Sequence, residues 1–511
     1  MENIENTIKV LAATGIPALD EELSHQKGLE VVECYLKAEV ENEIESKHPQ
    51  LIIISDKLSG NENTIKLLIH LKNKYHFIRF IYLAGQLDPR DKARVDALGM
   101  LVLCGIYDII ISQKMNIDVI MDIIKYPQKE QTVSYLTKNL LNSKYEIQNG
   151  MNGLEYEMYD DTDVKKNVFP NVFMFTSVKP GTGKSFMSAN VACAIAKYGK
   201  NRPKVALIEA DMQTLSLGTL LAIDEKKGCL RDVMQAVSTI FDKNTLIDDD
   251  DKKRRVNRII KNSMVSYKNV SNLDVLVGSS LTPEEIDSLS IIPEYFTYIL
   301  SVLKDEYDYV IIDTNSSIFH VSSFQIAQKA QTCYYIINLD FNNIRNNIRY
   351  ANMLKEIGIF DKVQYILNEN IENTKEFYSF GVVEEELSFT SDDIEEKYFH
   401  LIAKVPMLPK TVFLNRLYEG VPVVLDKNGI TYTNRVKLEL MKIANDICPL
   451  DDSYTNLQKI VEGTKKKFSF ADLFKKKKQP VKKQTQKPKL VDDPEMDEER
   501  TEELNQEDTH E

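Results

Sequence analysis

The stretch that decides the fold is residues 172–185, which read Val-Phe-Met-Phe-Thr-Ser-Val-Lys-Pro-Gly-Thr-Gly-Lys-Ser. Its first half is apolar and predicts a buried strand, and residues 186–198 after it predict a helix. A glycine-containing loop between a strand and a helix directs backbone N–H groups, and the positive end of the helix dipole, at one anion. The segment Gly-x-Gly-Lys-Ser that ends the stretch is therefore interpreted as a phosphate-binding loop.

Each position of this loop has an expected role. Gly181 and Gly183 are expected at positive φ, since they lack a Cβ atom. Lys184 is expected to reach the β- and γ-phosphates, and the Ser185 hydroxyl to bind Mg²⁺. The residues predicted to contact the nucleotide here are Pro180, Gly181, Thr182, Gly183, Lys184, Ser185 and Phe186. The alternative interpretation is a strand–helix turn that binds no ligand.

The start of the loop departs from the ordinary pattern, because Val178 stands where a glycine is usual. Read as Lys-x-Gly-x-Gly-Lys-Ser, the loop resembles the deviant Walker A motif of the ParA/MinD superfamily, with Lys179 as its signature lysine. That family usually has glycine at the position of Pro180. The resemblance implies ATP and Mg²⁺ as cofactors and an ATP-dependent homodimer in which Lys179 crosses to the phosphates of the partner.

Two later strands end in acidic residues. Residues 204–212 end in Glu209-Ala210-Asp211, which resembles the Asp-x-Asp of the family's second motif, with Glu209 in place of the first aspartate. Asp211 is then expected to orient the attacking water or hold a Mg²⁺-bound water, the alternative being a helix N-cap. Residues 307–314 resemble a Walker B strand and place Asp313 beside Mg²⁺. Asn315-Ser316 follows where the family usually has two prolines.

These assignments define the predicted site. The predicted catalytic residues are Lys179, Lys184 and Asp211, and the predicted metal ligands are Ser185, Asp211 and Asp313. On the adenine side, Asn368 ends a predicted strand where relatives place an asparagine that reads the base, with a helix or turn cap as the alternative. Pro406, in a segment resembling the family's closing strand and adenine-side loop, completes the predicted nucleotide contacts.

The first 126 residues predict a smaller doubly wound sheet. Apolar strands at 7–13, 51–54 and 78–83 alternate with a helical period at 65–72. Residues 50–60 resemble the third strand and loop of a response-regulator receiver domain, but Ser55 stands at the phospho-acceptor position and Asp56 follows one residue late. With no acidic pair after the first strand, Mg²⁺ has few ligands there. The domain is interpreted as a degenerate receiver used for docking or dimerisation.

The composition of the chain limits the class of protein and the cellular location that it can have. The chain has 511 residues, 43% of them hydrophobic, and a formal net charge of −13. It has no apolar run long enough for a membrane span, an acidic N-terminus unlike a signal peptide, and six scattered cysteines expected to be reduced. These features favour a cytoplasmic protein, with peripheral attachment at the inner membrane face or cell pole as an option. Residues 248–255, four aspartates and four basic residues, are interpreted as a solvated insertion or charged helix face.

The predicted organisation is α/β with two doubly wound domains and a charged tail. A receiver-like, flavodoxin-like domain spans 1–126, a linker with a short helix 127–168, a P-loop ParA/MinD-type ATPase domain 169–450, and a basic-then-acidic tail 451–511. The blocks after residue 464 are expected to be disordered. Lysines around the aromatic residues of 464–478 suggest contact with an acidic membrane surface, the alternative being a solubilising tail.

A degenerate receiver followed by a deviant-Walker ATPase resembles the CpaE/TadZ group. This resemblance implies an ATP-binding and ATP-hydrolysing dimerisation switch that positions or assembles a pilus or secretion apparatus, with proteins of that machinery as partners. Two alternatives stay open. One is a ParA-type partition ATPase that binds DNA, and the other is a bacterial tyrosine kinase, whose loop also carries Pro-Gly-x-Gly-Lys-Ser.

Overall fold

The computed structural model describes residues 7–112, 116–138, 140, 168–212, 215–224, 229–278, 289, 291–372, 387–426 and 431–472. These residues form two α/β domains, each built on a mainly parallel sheet with helices on both faces. The predicted fold class, two doubly wound domains in succession, is confirmed at this level.

The first sheet has five parallel strands in the order β2-β1-β3-β4-β5, the order of flavodoxin-like folds. Its strands are β1 (Ile8–Ala13), β2 (Leu29–Glu33), β3 (Leu51–Ser55), β4 (Arg79–Leu83) and β5 (Asp108–Ile110). Its helices are α1 (Pro17–Ser24), α2 (Val40–Lys47), α3 (Thr64–Lys74), α4 (Lys92–Leu103) and α5 (Ile117–Lys125). Strands β3 and β4 are buried along their whole length and are apolar except for Ser55 at the end of β3 and Arg79 at the start of β4.

The loop after β3 contains Asp56, whose two carboxylate oxygens both accept hydrogen bonds from side chains. Tyr82 Oη donates to Asp56 Oδ1 over 2.7 Å, and Arg94 Nη2 donates to Asp56 Oδ2 over 2.5 Å. Ser55 ends β3, and its hydroxyl donates to the Thr14 carbonyl over 2.6 Å. Asp56 is thus partnered rather than simply solvated, whereas the assignment of the domain as a receiver stays a prediction.

The predicted linker begins with a folded segment. Helix α6 (Glu130–Val133) and a 3-10 turn at Ser134–Leu136 follow α5. Val133 and Leu136 are buried in the core of the first domain, where Gly99 of α4 leaves room for the Leu136 carbonyl. Residues 141–167 of the predicted linker lie outside the described residues.

The second sheet has eight strands in the order β10-β11-β7-β12-β6-β13-β14-β15, all parallel except β10 against β11. Its strands are β6 (Phe169–Thr176), β7 (Val205–Glu209), β10 (Val265–Ser266), β11 (Leu273–Leu276), β12 (Tyr309–Asp313), β13 (Ala330–Ile337), β14 (Val363–Asn370) and β15 (Leu401–Pro406). A separate hairpin joins β8 (Phe241–Asp242) and β9 (Thr245–Leu246). Strand β6 lies between β12 and β13, so the phosphate loop leaves the centre of the sheet.

Helices cover both faces of the second sheet. They are α7 (Lys184–Tyr198), α8 (Leu217–Leu221), α9 (Leu230–Ser238), α10 (Asp250–Asn262), α11 (Pro293–Leu303), α12 (Ser323–Lys329), α13 (Phe341–Glu356), α14 (Ser391–Lys397), α15 (Lys410–Glu419), α16 (Thr431–Ile447) and α17 (Asp452–Asp472). Helix α7 is alanine-rich and buried from Met187 to Ala196, which lets it pack closely between the sheet and α16. This packing fixes the helix that starts at the phosphate loop.

The structure agrees with the sequence prediction for one polar segment and differs from it for another. The acidic and basic residues 248–255 lie at the start of α10, whose N-cap Asp249 accepts from the Lys252 amide over 2.9 Å, so the charged helix face is confirmed. The tail predicted from residue 451 instead continues as α17. Leu457 and Val461 are buried in the second domain, because apolar residues four apart form one face of a helix. Residues 473–511 lie outside the described residues.

The two domains contact each other through α3 and the end of α4. Lys72 and Glu294 form an ion pair, with side chains only 5% and 6% exposed. Gln325 of α12 donates to the Cys104 carbonyl over 3.2 Å, and the Phe77 ring lies 6.3 Å from the Tyr298 ring. No sequence pattern predicts this interface, because the residues that form it are far apart along the chain.

Two properties expected from composition can be read from the described residues. None of their helices has the length and hydrophobicity needed to cross a bilayer. All six cysteines are unpaired and buried.

A histidine at the domain interface makes the stability of the fold depend on pH. Burial, together with Lys329 and Lys72, lowers the pKa of His76 from 6.5 to about 3. The folded chain therefore keeps His76 neutral, while the unfolded chain protonates it below pH 6.5, so this contribution to stability is lost as the pH falls from 6.5 toward 3. At pH 5 the loss is roughly 2 kcal/mol. We expect His76→Gln to reduce the loss of unfolding free energy between pH 7.5 and pH 5 by that amount, measured by urea denaturation.

The exposed His25 offers a matched control. His25→Gln is expected to keep the pH dependence of the wild type. A His76→Gln chain that loses as much stability as the wild type between the two pH values contradicts the assignment.

Candidate nucleotide-binding site

The phosphate loop has the backbone that its glycines predict. Gly181 and Gly183 have φ values of 80° and 94°. A Cβ atom on Gly183 would lie 2.2 Å from Asn368 Nδ2, whereas one on Gly181 would meet nothing within 4 Å. Gly183 is therefore required both by its conformation and by close packing. Helix α7 starts immediately afterwards, so its N-terminal N–H groups face the same loop.

The loop lysine is held by a residue of the Walker B segment. Lys184 Nζ donates to Ser316 Oγ over 2.7 Å. Burial lowers the pKa of Lys184, and the nearby carboxylates of Asp313 and Asp211 oppose this effect. A partly desolvated ammonium group beside a loop of N–H donors favours a polyanionic ligand.

The predicted metal ligands Ser185 and Asp313 lie together. Asp313 is 2% exposed, and burial raises its pKa to about 7, against the effects of a Ser185 hydrogen bond and the Lys184 charge. Asp313 Oδ1 and Thr182 Oγ1 are buried without a hydrogen-bond partner. Buried oxygen atoms are normally satisfied, so these two fit a site that is completed by Mg²⁺ and phosphate.

Asp211 lies on the same side of the sheet, two residues beyond the end of β7. It is 4% exposed, and its Oδ1 atom accepts from Asn315 Nδ2 over 3.1 Å. Strands β7, β12 and β6 are neighbours, and Asp313 is in register with both Glu209 and Phe175. The structure therefore brings Asp211 and Asp313 to the edge from which the phosphate loop leaves.

Glu209 is hydrogen-bonded to backbone amides of two neighbouring segments. Its carboxylate accepts from the Ser216 and Leu217 amides through Oε1 and from the Gly278 amide through Oε2, the last two over 2.9 and 2.7 Å. Burial raises the pKa of Glu209, and these three backbone bonds oppose the rise. The extra methylene of glutamate, relative to aspartate, extends the carboxylate to both segments, so Glu209 ties the end of β7 to α8 and β11.

The predicted signature lysine is paired within its own chain. Lys179 Nζ bonds Asp340 Oδ2, and this contact lowers the pKa of Asp340. The two side chains are 42% and 33% exposed. Asp340 Oδ1 also accepts from the Asn342 amide and so caps α13. Since partly exposed pairs of this kind contribute about 0–1 kcal/mol, Lys179 is held only weakly.

The adenine-side predictions are placed as follows. Asn368 Nδ2 donates to the Thr182 carbonyl over 2.8 Å, which braces the phosphate loop from β14. The Phe186 ring lies 6.2 Å from the Phe413 ring of α15. Pro406 ends β15, three strands from β6, which corresponds to about 14 Å. The loop residues, the two aspartates and Asn368 thus form one site, with Phe186 and Pro406 on its flank.

Three residues of this site were absent from the predicted set. Asn315, Ser316 and Asp340 each bond a predicted catalytic side chain. A signal existed for the first two, because they replace two expected prolines. Asp340 had no such signal, since it lies 161 residues after Lys179.

The second domain is similar in sequence to known proteins. Residues 171–372 match the family model described as an AAA domain. The septum site-determining protein MinD of Thermotoga maritima is 26% identical over 302 residues, covering 58% of this chain and 97% of that protein. The MinD of Synechocystis is 27% identical over 198 residues, covering 39% of this chain and 64% of that protein.

One solved structure similar to this chain is MinD of Pyrococcus horikoshii in complex with Mg-ADP. It is 18% identical with a TM-score of 0.40, and the match covers 54% of this chain and 95% of that one. Together, the family model and the curated relatives support the ParA/MinD superfamily of P-loop ATPases for the second domain.

The role of Glu209 can be tested by shortening it. Glu209→Asp keeps the charge but cannot reach both Leu217 and Gly278, so we expect a loss of about 2–3 kcal/mol in unfolding free energy. Hydrogen exchange of the peptide covering residues 215–221 is expected to accelerate. Glu30→Asp, the same change on an exposed strand residue, serves as the control. Equal stability and exchange in Glu209→Asp and the wild type contradict the tie between β7, α8 and β11.

Proposed function

We propose that this chain is an ATP- and Mg²⁺-dependent dimerisation switch that hydrolyses ATP, because its second domain is similar to the ParA/MinD ATPases. The observation that carries the proposal is the convergence of three parallel strand ends. A phosphate-type loop, a desolvated lysine and two buried carboxylates meet there, and two buried oxygen atoms have no protein partner.

Each side chain has a role in this proposal. The loop amides and Lys184 bind the triphosphate, with Lys184 extending from Ser316 toward the β- and γ-phosphates. Ser185 and Asp313 hold Mg²⁺, which, when bound, neutralises phosphate charge. Asp211 would orient the attacking water or hold a Mg²⁺-bound water. Asn368, in contact with the loop backbone, and Pro406 at the end of β15 bound the base side.

Dimerisation depends on Lys179 in this proposal. The residue lies near the exposed rim of the loop, next to Pro180, and its pairing with Asp340 is weak enough to be exchanged for a phosphate of the partner's nucleotide. A lysine delivered from a second copy supplies charge stabilisation in the manner of an arginine finger. ATP then favours the dimer, and hydrolysis releases it.

The finer assignments are proposals that rest on the CpaE/TadZ resemblance. In these proposals the chain serves a pilus or secretion apparatus and binds proteins of that apparatus. It lies in the cytoplasm near the inner membrane or cell pole. The receiver-like domain fits a docking role, since it already contacts α11 and α12 of the ATPase domain. Contact of 464–478 with acidic lipid belongs to the same proposal, although its side chains lie outside the described residues.

Turnover is the first test. Lys184→Ala and Asp211→Ala are each expected to lower steady-state phosphate release by about a hundredfold or more, because each removes a group that acts on the reacting phosphate or water. Lys200→Ala, at an exposed lysine just beyond α7, is the matched control and is expected to match the wild type.

Identical rates in the wild type and both site variants contradict the ATPase assignment. Labelled ATP separates the alternatives in the same preparation. Transfer of label to tyrosine supports the kinase alternative, and salt-dependent retention on DNA only with ATP supports the partition alternative.

The dimer is the second test, measured by sedimentation with a non-hydrolysable ATP analogue and Mg²⁺. The wild type is expected to sediment as a dimer and Lys179→Ala as a monomer. Asp340→Asn keeps an N-cap for α13 but removes the charge that holds Lys179, so it is expected to dimerise at least as well as the wild type. Dimerisation of Lys179→Ala at the wild-type concentration range shows that the lysine does not cross to the partner.

A further inference from the structure

The two residues after the Walker B strand make contacts that prolines cannot make. Asn315 Nδ2 donates to Asp211 Oδ1, and Ser316 Oγ accepts from Lys184 Nζ. A proline side chain has neither a donor nor an acceptor, so a chain with two prolines here lacks both bonds. The two residues that depart from the family pattern thus contact Asp211 and Lys184, the side chains that are proposed to act in the reaction.

The orientation of the Asn315 amide is fixed at both ends. Its Oδ1 accepts from the Ser317 amide over 2.8 Å, and its Nδ2 donates to Asp211 over 3.1 Å. Exchanging the oxygen and nitrogen would place two acceptors, and two donors, against each other. The amide is therefore held in a single orientation, with its donor toward the carboxylate.

The backbone that carries this pair is also fixed. The Asn315 carbonyl accepts from Thr176 Oγ1 over 3.1 Å, and Ser316 Oγ lies 3.2 Å from Ser177 Oγ. Both partners belong to the end of β6, where the phosphate loop begins. The pair is thus attached to the loop itself, and not only to β12.

We propose that Asn315 and Ser316 form a polar clamp, in which Ser316 holds the Lys184 ammonium group and Asn315 orients the Asp211 carboxylate for hydrolysis. The inference rests on the proposed function and names two positioning residues of that site. An ammonium group has three donors, so Lys184 can reach a phosphate after releasing Ser316 or while keeping it.

The Ser316 half of the clamp is tested without nucleotide. In Ser316→Ala, Lys184 loses its acceptor, and we expect its acetylation by acetic anhydride, followed by peptide mass spectrometry, to be about tenfold faster. Acetylation of the exposed Lys200 is the internal reference, and Ser46→Ala, at an exposed serine of α2, is the control variant. Unchanged acetylation of Lys184 in Ser316→Ala overturns this half.

The Asn315 half is tested by separating kcat from KM. Asn315→Asp keeps the size of the side chain but opposes Asp211 with a second carboxylate, and Asn315→Ala removes the donor. Both are expected to lower kcat about ten- to hundredfold while KM and the affinity for a fluorescent ADP analogue stay within about twofold. Asn315→Gln retains a donor and is expected to keep more activity than Asn315→Ala. Asn61→Asp, in an exposed loop of the first domain, is the matched control.

The outcomes separate this inference from the proposed function. A wild type that neither binds nor hydrolyses ATP overturns the proposed function and the orienting role of Asn315, while the acetylation rate still decides the role of Ser316. An active wild type with Asn315 variants of equal kcat overturns the orienting role alone. Variants that lose ADP binding together with turnover also overturn it, because orientation of Asp211 does not require a change in nucleotide affinity.

Discussion

The second domain depends on keeping charged groups satisfied at one buried edge of a parallel sheet. Glu209, Asp211, Asp313 and Lys184 lie within a few residues of the ends of β7, β12 and β6, and the three carboxylates are 1–4% exposed. Burying such groups is costly unless each has a partner. Glu209 is satisfied by three backbone amides and Lys184 by Ser316, whereas Asp313 keeps an unsatisfied oxygen. The structure therefore satisfies the groups that shape the edge, and it leaves an Asp313 carboxylate oxygen for a cation and the Thr182 hydroxyl, which can donate, for an anion.

Much of this arrangement could be predicted from local patterns. The apolar runs that became β6, β7, β12 and β14 are buried parallel strands, which read as continuous hydrophobic segments. The phosphate loop was recognisable because its chemistry needs glycine, lysine and serine at fixed spacing. Since the carboxyl ends of parallel strands meet at one edge, the sequence alone predicts that the aspartates just beyond β7 and at the end of β12 belong to the same site.

What could not be predicted depends on contacts between distant segments. The bond from Lys179 to Asp340 spans 161 residues, and the ion pair between Lys72 and Glu294 spans 222. Neither has a sequence spacing that marks it. The position of α17 was missed for another reason. Its buried residues Leu457 and Val461 lie in a mostly polar segment, and the lysine-rich sequence that follows is typical of a solvated tail.

The segment between β12 and α12 connects the site to the domain interface. Asn315 donates to Asp211, and Ser316 accepts from Lys184. Ser322 donates to the Ala210 carbonyl next to Asp211, and Gln325 donates to the Cys104 carbonyl of the first domain. Only about ten residues separate the first contact from the last, and both ends are tied to buried partners. A short segment held at both ends cannot change at one end without a compensating change in its own backbone or at the other end. The first domain is therefore bonded to the same segment of the second domain that contacts Asp211 and Lys184.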